Sequence, residues 1–271
     1  MGSGLVAELA ICRRLVGARL RGQMQYRGSF IAQTVGNFGL HLTELVAILI
    51  LFSHFGSIGG WRIQDVAFLY GLSCLSFGIA HFLGSGLSAF YVLIHQGTFD
   101  RVLVRPVGTL LQVLAADIQI RRLGEAVQGV IVLGAAVWLG DIDWTLGRLL
   151  YLPVVIASAV LLYVSLFAIE ATVCFWTTQA TEVLNAFTYG GSDMAQYPLH
   201  IYQAWLRSFL LFVVPIGFVI YLPSLYLLDK PDPLGLPAFA PFLAPVAATA
   251  FALAAGWLWR LGVRHYRSTG S

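Results

Sequence analysis

The chain has 271 residues, of which 58% are hydrophobic and 11% are charged, and its formal net charge is +3. Soluble domains carry about 25% charged residues, so this composition excludes an ordinary soluble enzyme. Apolar segments extend from about residue 28 to residue 262 and leave no room for a separate soluble domain. We therefore predict a single membrane domain over residues 1–271.

Residues 1–28 are predicted to form a basic helix on the inner membrane surface, because arginine attracts anionic lipid and its long side chain reaches the headgroups. Their charged residues do not all share one helical face, so the alternative that the arginines serve only as topology signals stays open. These arginines are Arg13, Arg14, Arg19, Arg21 and Arg27.

Six apolar segments are long enough to cross a hydrocarbon core about 30 Å thick, which takes about 20 residues of helix. They are residues 29–52, 66–94, 124–139, 149–177, 200–221 and 239–261. The third is short, so its helix is expected to begin before Gly124 and to include Glu125. The sequence thus predicts an all-α, polytopic membrane protein with six transmembrane helices.

Basic residues near transmembrane helices favour the cytoplasmic side. If the N-terminus is cytoplasmic, thirteen arginines fall on the inner side, against Arg62, Arg148 and Lys230 on the outer side. The thirteen are Arg13, Arg14, Arg19, Arg21, Arg27, Arg101, Arg105, Arg121, Arg122, Arg207, Arg260, Arg264 and Arg267. This asymmetry predicts a multi-pass protein of the cytoplasmic (inner) membrane with both termini in the cytoplasm.

The first span carries two ionisable residues, His41 and Glu44, which lie three residues apart and so share a helix face. Such groups are costly in a membrane and are functional candidates. A proton relay or a contact with a cationic substrate would explain the pair. A buried hydrogen-bonded lock between subunits would explain it equally, and the pattern does not separate these interpretations.

No catalytic or metal-binding residue is predicted. The cysteines are three in number and form no CxxC motif, so neither a disulfide framework nor a zinc site is indicated. The second span holds a histidine and a serine, His81 and Ser85, but an intramembrane hydrolase would take its base from another helix. The Gly-Ser-Gly triplet at 84–86 instead favours close helix packing.

The stretch between the second and third spans, residues 95–122, carries four arginines and two aspartates. Pro106 restricts Arg105 to extended conformations, so a helix is predicted to restart after the proline. Apolar residues then recur at helical spacing, with glutamines on the opposite side: Leu110, Leu111, Leu114 and Ile118 against Gln112 and Gln119. This amphipathic element either lies at the lipid headgroups or docks on another protein.

The fifth predicted span contains Pro215, which frees a backbone carbonyl and bends a helix. The bend belongs either to a moving or pathway-lining helix or to a static packing arrangement. Prolines at 223, 231, 233, 237 and 241 then make the following stretch too broken for a crossing helix. We predict an outer loop over residues 222–238.

The segment GTFDRVLVRPVGTLLQVLAADIQIRRLGEAVQG resembles the signature of permease subunits of ABC-2-type transporters, in the branch with an LLRP-like motif after the second span. Its matching positions are Gly97, Asp100, Leu103, Arg105, Pro106, Leu110 and Gly124. The segment DMAQYPLHIYQAWLRSFLLFVVPIGFVIYLPSLYLL is similar to the family's second marker. Its matching positions are Tyr197, Pro198, Trp205, Leu206, Pro215, Tyr221 and Pro223. Residues 60–72 fit the family's entry into span two.

The resemblance implies one permease of an exporter that combines two permeases, identical or different, with two ATP-hydrolysing subunits. ATP and Mg would bind those subunits, and this chain would hold no cofactor. Lipid surrounds the protein, and nucleic acid is not an expected partner. The resemblance implies a hydrophobic or amphipathic cargo, such as a lipid, glycolipid, drug or natural product.

The resemblance also implies roles for particular residues. The cytoplasmic loop would couple to the ATPase through Gly97, Asp100, Arg101, Arg105, Pro106 and Leu110. The transport path or the dimer axis would involve His41, Glu44, Tyr197, Pro198, Trp205 and Pro215.

The chain lacks the G-x-x-x-x-G-K-[ST] phosphate-binding motif, and its single lysine, Lys230, lies in a predicted outer loop. We therefore expect a non-catalytic subunit. The alternative is a proton- or ion-coupled carrier that uses Glu44 and His41, although such carriers usually show internal repeats with paired broken helices. No convincing repeat relates the two halves of this sequence.

Overall fold

The computed structural model of the chain describes residues 27–177 and 181–266. These ranges are helical and contain no β-strand, which confirms the predicted all-α class. The helices are α1 Arg27–His54, α2 Ile63–Leu83, α3 Ser85–Ser88, α4 Phe90–His95, α5 Asp100–Leu103, α6 Thr109–Ala116, α7 Leu123–Leu139, α8 Leu146–Val173, α9 Thr181–Ala195, α10 Ala204–Ser208, α11 Leu222–Leu227 and α12 Ala244–His265. The predicted interfacial helix at 1–28 lies outside the described residues, apart from its last two.

The described chain also contains short 3-10 turns and two π-helical segments, and loops connect these elements. The 3-10 turns are Ile120–Arg122, Leu199–Ile201 and Ala240–Leu243, and the π-helical segments are Phe209–Val213 and Gly217–Tyr221. Below, the loop end of the bundle is the end that holds residues 95–122, and the far end is the end that holds residues 55–62, 140–145 and 228–239.

Four described helices are long and apolar enough to cross a membrane: Ile63–Leu83, Ile120–Leu139, Leu146–Val173 and Ala240–His265. A bent pair, Ala204–Val213 and Gly217–Leu227, passes the same test as one unit. The start of the third span before Gly124 is as predicted. These helices make the chain a multi-pass membrane protein, and the count of six spans stays a prediction.

The central helix is α2, which is buried on nearly all sides and packs most extensively against α7. Three glycines let the two backbones approach closely. A Cβ at Gly71 would lie 2.5 Å from the Leu133 backbone nitrogen, and a Cβ at Gly78 or Gly129 would collide with the backbone of the facing helix. Small residues at such contacts allow tight helix association in membranes.

A buried polar joint connects α2 to α8 and α9. The Ser73 hydroxyl donates to the Ser192 carbonyl oxygen at 3.1 Å, and its oxygen lies 3.3 Å from the Tyr163 hydroxyl. All three side chains are buried. Because apolar surroundings strengthen such bonds and penalise unpaired polar groups, this joint fixes the depth at which α9 crosses α2.

The predicted fifth span is not a straight crossing, because its two ends meet. A hydrogen bond of 2.9 Å joins His200 Nδ1 to the Tyr221 hydroxyl, and His200 Nε2 lies 2.9 Å from the Gly59 carbonyl oxygen. Residues 200 and 221 therefore both lie at the far end. The intervening chain runs inward, bends by 82° next to Pro215 and returns through Leu227.

The depth of the bundle is instead crossed by α9 and the turn that follows it. This segment runs antiparallel to α2, because its successive residues contact earlier and earlier residues of α2: Tyr189 contacts His81, and Ser192 contacts Ser73. The turn then brings His200 to Gly59 at the far end. The predicted boundaries 200–221 were wrong because they fell on a re-entrant hairpin, whose apolar composition equals that of a span.

Three further corrections follow from the same chain path. Arg207 lies near the far end, so the predicted distribution of basic residues changes from thirteen against three to twelve against four. The predicted outer loop 222–238 begins with a helix, Leu222–Leu227. The second predicted span ends at Leu83, eleven residues early, since the chain breaks at Gly84 into α3 and α4.

The Gly-Ser-Gly triplet packs closely, as predicted. A Cβ at Gly84 would lie 2.9 Å from the Phe167 ring, and a Cβ at Gly86 would collide with the Val113 carbonyl oxygen. The second contact seats α3 directly on α6, so the break after α2 is what brings residues 109–116 against the helix bundle.

The hairpin makes a prediction about sidedness. In a chain whose three cysteines are replaced, a cysteine at exposed Gln203 should react with a membrane-impermeant thiol reagent from the same side as one at exposed Ser57. A cysteine at exposed Val104 should react only from the opposite side. If the cysteines at Gln203 and Val104 reacted from the same side of the membrane, the hairpin would be contradicted.

The close contact between Gly129 and the Leu75 backbone predicts that a large side chain at position 129 lowers the stability of the protein. Gly129→Leu would push the Leu75 backbone away from α7, and overpacking of this kind costs about 1–3 kcal/mol or more. We expect a clearly lower midpoint of thermal unfolding in detergent. Gly134→Leu is the matched control, because a Cβ at Gly134 meets no atom within 4 Å. Equal losses in both variants would contradict the proposed contact.

Candidate functional site

The loop at residues 95–122 begins with a sharp reversal at Gly97. Its φ is +64°, the Thr98 N–H donates to the Leu93 carbonyl oxygen at 3.0 Å, and the Gly97 N–H donates to the Ile94 carbonyl oxygen at 3.1 Å. This pair of bonds is the usual glycine-dependent end of a helix. Gly97 therefore terminates α4 and directs the following residue back toward the bundle.

That following segment is held by Phe99, which is fully buried in an aromatic cluster. Its ring centroid lies 5.2 Å from Phe90, 5.4 Å from Phe175 and 5.0 Å from Tyr266. Edge-to-face pairs at these distances are favourable beyond the area they bury. Phe175 follows α8 and Tyr266 follows α12, so the cluster ties the loop to the ends of two long helices.

A hydrogen bond supports the same attachment on α6, because Trp259 Nε1 of α12 donates to the Thr109 hydroxyl at 3.0 Å. The Trp259 ring packs on Phe90 and Phe175, at 5.1 and 5.4 Å. The loop is therefore fixed to α12 on both sides of its tip.

The tip itself is exposed and combines apolar and cationic groups. Val104 is 83% exposed and Leu103 is 39% exposed, and Arg101, Arg105 and Pro106 surround them. An apolar centre with an arginine rim is the usual composition of a protein-binding surface. Sequence reasoning missed Val104, although a valine between Leu103 and Arg105 could have been recognised as part of an apolar tip.

The six coupling candidates occupy different places in this loop. Arg101, Arg105 and Pro106 lie at the tip, and Asp100 begins α5 and is partly exposed. The other two have structural places: Gly97 forms the turn, and Leu110 packs against the core.

The predicted orientation of α6 holds for Leu110 and Leu114, which pack against the core, but it was wrong for two residues. Gln112, expected on the polar face, is 5% exposed, and its Nε2 donates to the carbonyl oxygens of Val102 and Val107 at 3.1 and 2.7 Å. Leu111, expected on the apolar face, is 43% exposed. The glutamine is buried because it donates hydrogen bonds to two loop carbonyl oxygens. The helical periodicity of the sequence carries no information about such bonds.

A polar cavity of about 260 Å³ lies among α1, α2, the turn before α7, and α9. Its lining residues are Glu44, Phe77, His81, Arg121, Arg122, Glu125, Tyr189, Ser192, Asp193 and Gln196. His81 links two walls, since its Nε2 lies 3.0 Å from the Tyr189 hydroxyl and its Nδ1 lies 3.8 Å from Glu125 Oε2. The cavity thus collects both signs of charge near the loop end of the bundle.

The structure does not bring the six transport-path candidates together. Glu44 lines the cavity, whereas the side chain of His41 lies outside the described residues. Tyr197 and Pro198 lie in the turn after α9, and Trp205, 67% exposed, follows it near the far end. The sixth, Pro215, stands at the 82° bend of the hairpin. No single pathway through all six is evident in the described part of the chain.

Ion pairs at the far end were not anticipated. Lys230 Nζ lies 2.8 Å from Asp65 Oδ2, Arg148 Nη2 lies 2.8 Å from Asp229 Oδ1, and Arg62 Nη1 lies 3.3 Å from Asp141 Oδ2. The first two pairs attach the chain after α11 to the starts of α2 and α8.

The Lys230 pair predicts a stability effect with a compensating variant. Lys230→Met would remove the nearer of the two cations beside the buried Asp65 carboxylate and leave only Arg62, whose Nε lies 4.0 Å from Oδ2; breaking a buried pair completely costs about 3 kcal/mol, so we expect a loss below that figure. We expect a lower thermal unfolding midpoint for this variant and a substantial recovery in the double variant with Asp65→Asn. Additive losses in the double variant would contradict the pairing.

A family model described as "ABC-2 family transporter protein" matches residues 38–270, which is more than four fifths of the chain. No curated protein and no solved structure matches the chain.

Proposed function

Because the chain belongs to the ABC-2 family of transporter proteins, we propose that it is the permease subunit of an ATP-driven exporter whose ATP is hydrolysed by separate subunits. The exposed loop tip at 101–106 supports this proposal most directly, because it has the composition of a docking surface and is anchored to two long helices. In this assignment the chain is not itself catalytic.

The tip is suited to a cleft on an ATPase subunit. Val104 would enter an apolar depression, and Arg101 and Arg105 would pair with carboxylates at its rim. Rim charges of this kind mainly guide association and fix the orientation of the partners. Two such ATPases, which bind ATP and Mg, would serve this chain and a second permease, identical or related.

Motion of the ATPase would reach the membrane through the aromatic cluster. Because Phe99 is enclosed by rings from α4 and from the ends of α8 and α12, a displacement of the tip moves those helix ends with it. Packed interiors are close-packed and transmit strain. The loop therefore acts as a lever on α8 and α12.

This function also determines the expected location. The loop end would face the cytoplasm, both termini would be cytoplasmic, and the protein would lie in the inner membrane, in agreement with the distribution of arginines. The cargo would be hydrophobic or amphipathic, since the helices present largely apolar walls.

The docking surface can be tested by purification of the tagged chain from its native membranes in mild detergent, with mass spectrometry of the co-eluting proteins. We expect a Walker-motif ATPase with the native chain and at least a tenfold lower yield with Arg105→Glu or Val104→Glu. Arg260→Glu, an exposed charge reversal on α12, should leave the yield unchanged.

Two outcomes would count against the proposal. Intact complexes without any ATPase would favour an ion-coupled carrier instead, and Glu44 would become the residue to test. Full ATPase recovery with both tip variants would place the docking surface elsewhere on the chain.

The lever makes a separate prediction about Phe99. Phe99→Ala removes the ring that connects the tip to α8 and α12 but leaves the exposed tip residues unchanged. We expect the ATPase still to co-purify, while the ATP-dependent change in thiol labelling of a cysteine at Gln203 falls several-fold. Phe99→Leu should retain more of that change. Normal ATP-dependent labelling in Phe99→Ala would contradict the lever.

A further inference from the structure

A second cavity, called here the Glu170 cavity, lies between the last turns of α8 and the bend of the hairpin. Its volume is about 260 Å³, and its walls come from α8, α9, the hairpin and α12. Eight of its ten lining residues are apolar, and three of these are phenylalanines: Phe187, Phe209 and Phe251. The two polar exceptions are Glu170 and Thr188. An almost wholly apolar space therefore contains one carboxyl group.

Glu170 is only weakly bonded in this position. The residue is 4% exposed, and its Oε2 accepts a hydrogen bond from the Thr188 hydroxyl at 3.5 Å. Hydroxyl donors usually lie about 2.5–3.0 Å from their acceptors, so this bond is long. The same hydroxyl lies 3.3 Å from the Leu184 carbonyl oxygen and has a single proton to donate. Because the two acceptors compete for that proton, the carboxyl group holds only a share of one hydrogen bond.

No cation completes the pairing of this carboxyl group. Within residues 27–177 and 181–266, Glu170 forms no ion pair, and its carboxyl group has no second hydrogen-bond donor. The charge of Arg122 acts on it only from beyond ion-pair distance. A carboxyl group buried without such partners is costly, and ionisable groups in transmembrane helices are associated with binding or transport. A ligand that supplies a cation with an N–H donor would offset this cost.

The walls of the Glu170 cavity determine the rest of the ligand. Because Thr188 offers the only other polar side chain in the lining, a phosphate or carboxylate on the ligand would lose its hydration without compensation. The faces of the phenylalanine rings attract cations and also provide apolar contact. A volume of about 260 Å³ equals roughly nine water molecules at about 30 Å³ each. This space holds a compact group, such as one aromatic ring on a short aliphatic chain.

The exposure of the lining residues indicates how a ligand would lie. Phe187 on α9 is 43% exposed and Val213 on the hairpin is 58% exposed, whereas Leu166, Glu170 and Val214 are buried. The lining thus changes from exposed apolar side chains to a buried carboxyl group. This order suits a ligand that enters with its charged end first and leaves its apolar body among the rings.

We propose that the Glu170 cavity binds lipophilic amines. The protonated nitrogen donates a hydrogen bond to the Glu170 carboxylate, and the apolar body lies among Phe187, Phe209 and Phe251. Charge-assisted hydrogen bonds of this kind are stronger than neutral ones. The proposal goes beyond the exporter assignment, because it concerns binding by this chain alone. Its test contains no ATPase, so its failure and the failure of the exporter assignment are distinguishable.

The test uses the full-length protein in phosphatidylcholine nanodiscs and measures equilibrium binding of radiolabelled dimethyl(phenylbutyl)amine, with the signal of empty nanodiscs subtracted. We expect saturable binding. Phenylbutanol, which has a similar apolar body but no charge, should compete at least tenfold more weakly than the unlabelled amine, because hydrogen bonds to charged groups are worth more than about 1.5 kcal/mol.

Variants of the carboxyl group locate the binding. Glu170→Gln should lower the affinity for the amine at least tenfold, and Glu170→Asp should retain part of it. Asp143→Asn is the matched control, since it neutralises an exposed carboxylate at the far end, and its affinity should equal that of the native chain.

A second pair of variants tests the cavity without changing its charge. Leu184→Trp would fill the space next to Glu170, so we expect it to lower the affinity for the amine several-fold. Leu253→Trp adds the same side chain at a position on α12 that is 71% exposed and should bind as the native chain does.

Three results would overturn the proposal. They are equal competition by the amine and the alcohol, unchanged affinity in Glu170→Gln, and equal losses in Glu170→Gln and Asp143→Asn. Thermal unfolding of each variant shows whether it is folded. If Glu170→Gln does not fold, Glu170→Asp and Leu184→Trp decide the question, and native affinity in both would overturn the proposal.

Discussion

The close backbone contact between α2 and α7 is the constraint on which the rest of the structure depends. Gly71, Gly78 and Gly129 have no side chains that would separate the two helices. As a result, α2 lies at the centre of the bundle with neighbours on nearly every side. In a membrane, helix association relies on such packing because lipid is as apolar as the helices themselves. Once α2 is central, the cavity, the polar joint and the far-end turn all lie along its length.

The same helix explains how the loop is attached to the bundle. At Gly84 the chain leaves α2, and Gly86 then lets α6 lie directly on α3. Phe99 is enclosed beyond this point by rings from α4, α8 and α12. A loop held at both α3 and α12 has little freedom of its own, so in the proposed complex a force applied at Val104 would be passed to the helix ends.

Hydrophobic length and proline chemistry were enough to predict most of the helices, the restart after Pro106 and the break at Pro215. They failed where the chain turns back. A re-entrant hairpin and a straight span have the same composition, and only the contact between His200 and Tyr221 separates them. The segment that does cross the bundle, α9, was overlooked because it is 15 residues long and carries Asp193 and Ser192 toward polar partners. Gln112 was assigned to the wrong face for a related reason. It is buried because it donates to the carbonyl oxygens of Val102 and Val107, which precede α6 and do not belong to its helical pattern.

The position of α9 connects the two ends of the molecule. Tyr189 and Asp193 line the cavity, Ser192 is bonded to Ser73 halfway along α2, and the turn after α9 reaches Gly59 through His200. A shift of α9 along α2 would therefore change the cavity and the far-end contacts together. The hairpin from α10 to α11 begins at that turn and returns to Tyr221, so it would follow the same movement. Ion pairs of Lys230 and Arg148 attach the end of this hairpin to α2 and α8, so they would resist a movement of the hairpin away from these two helices. The helix that carries Tyr189, Ser192 and Asp193 of the polar cavity lining is thus directly followed in the chain by the hairpin at the far end.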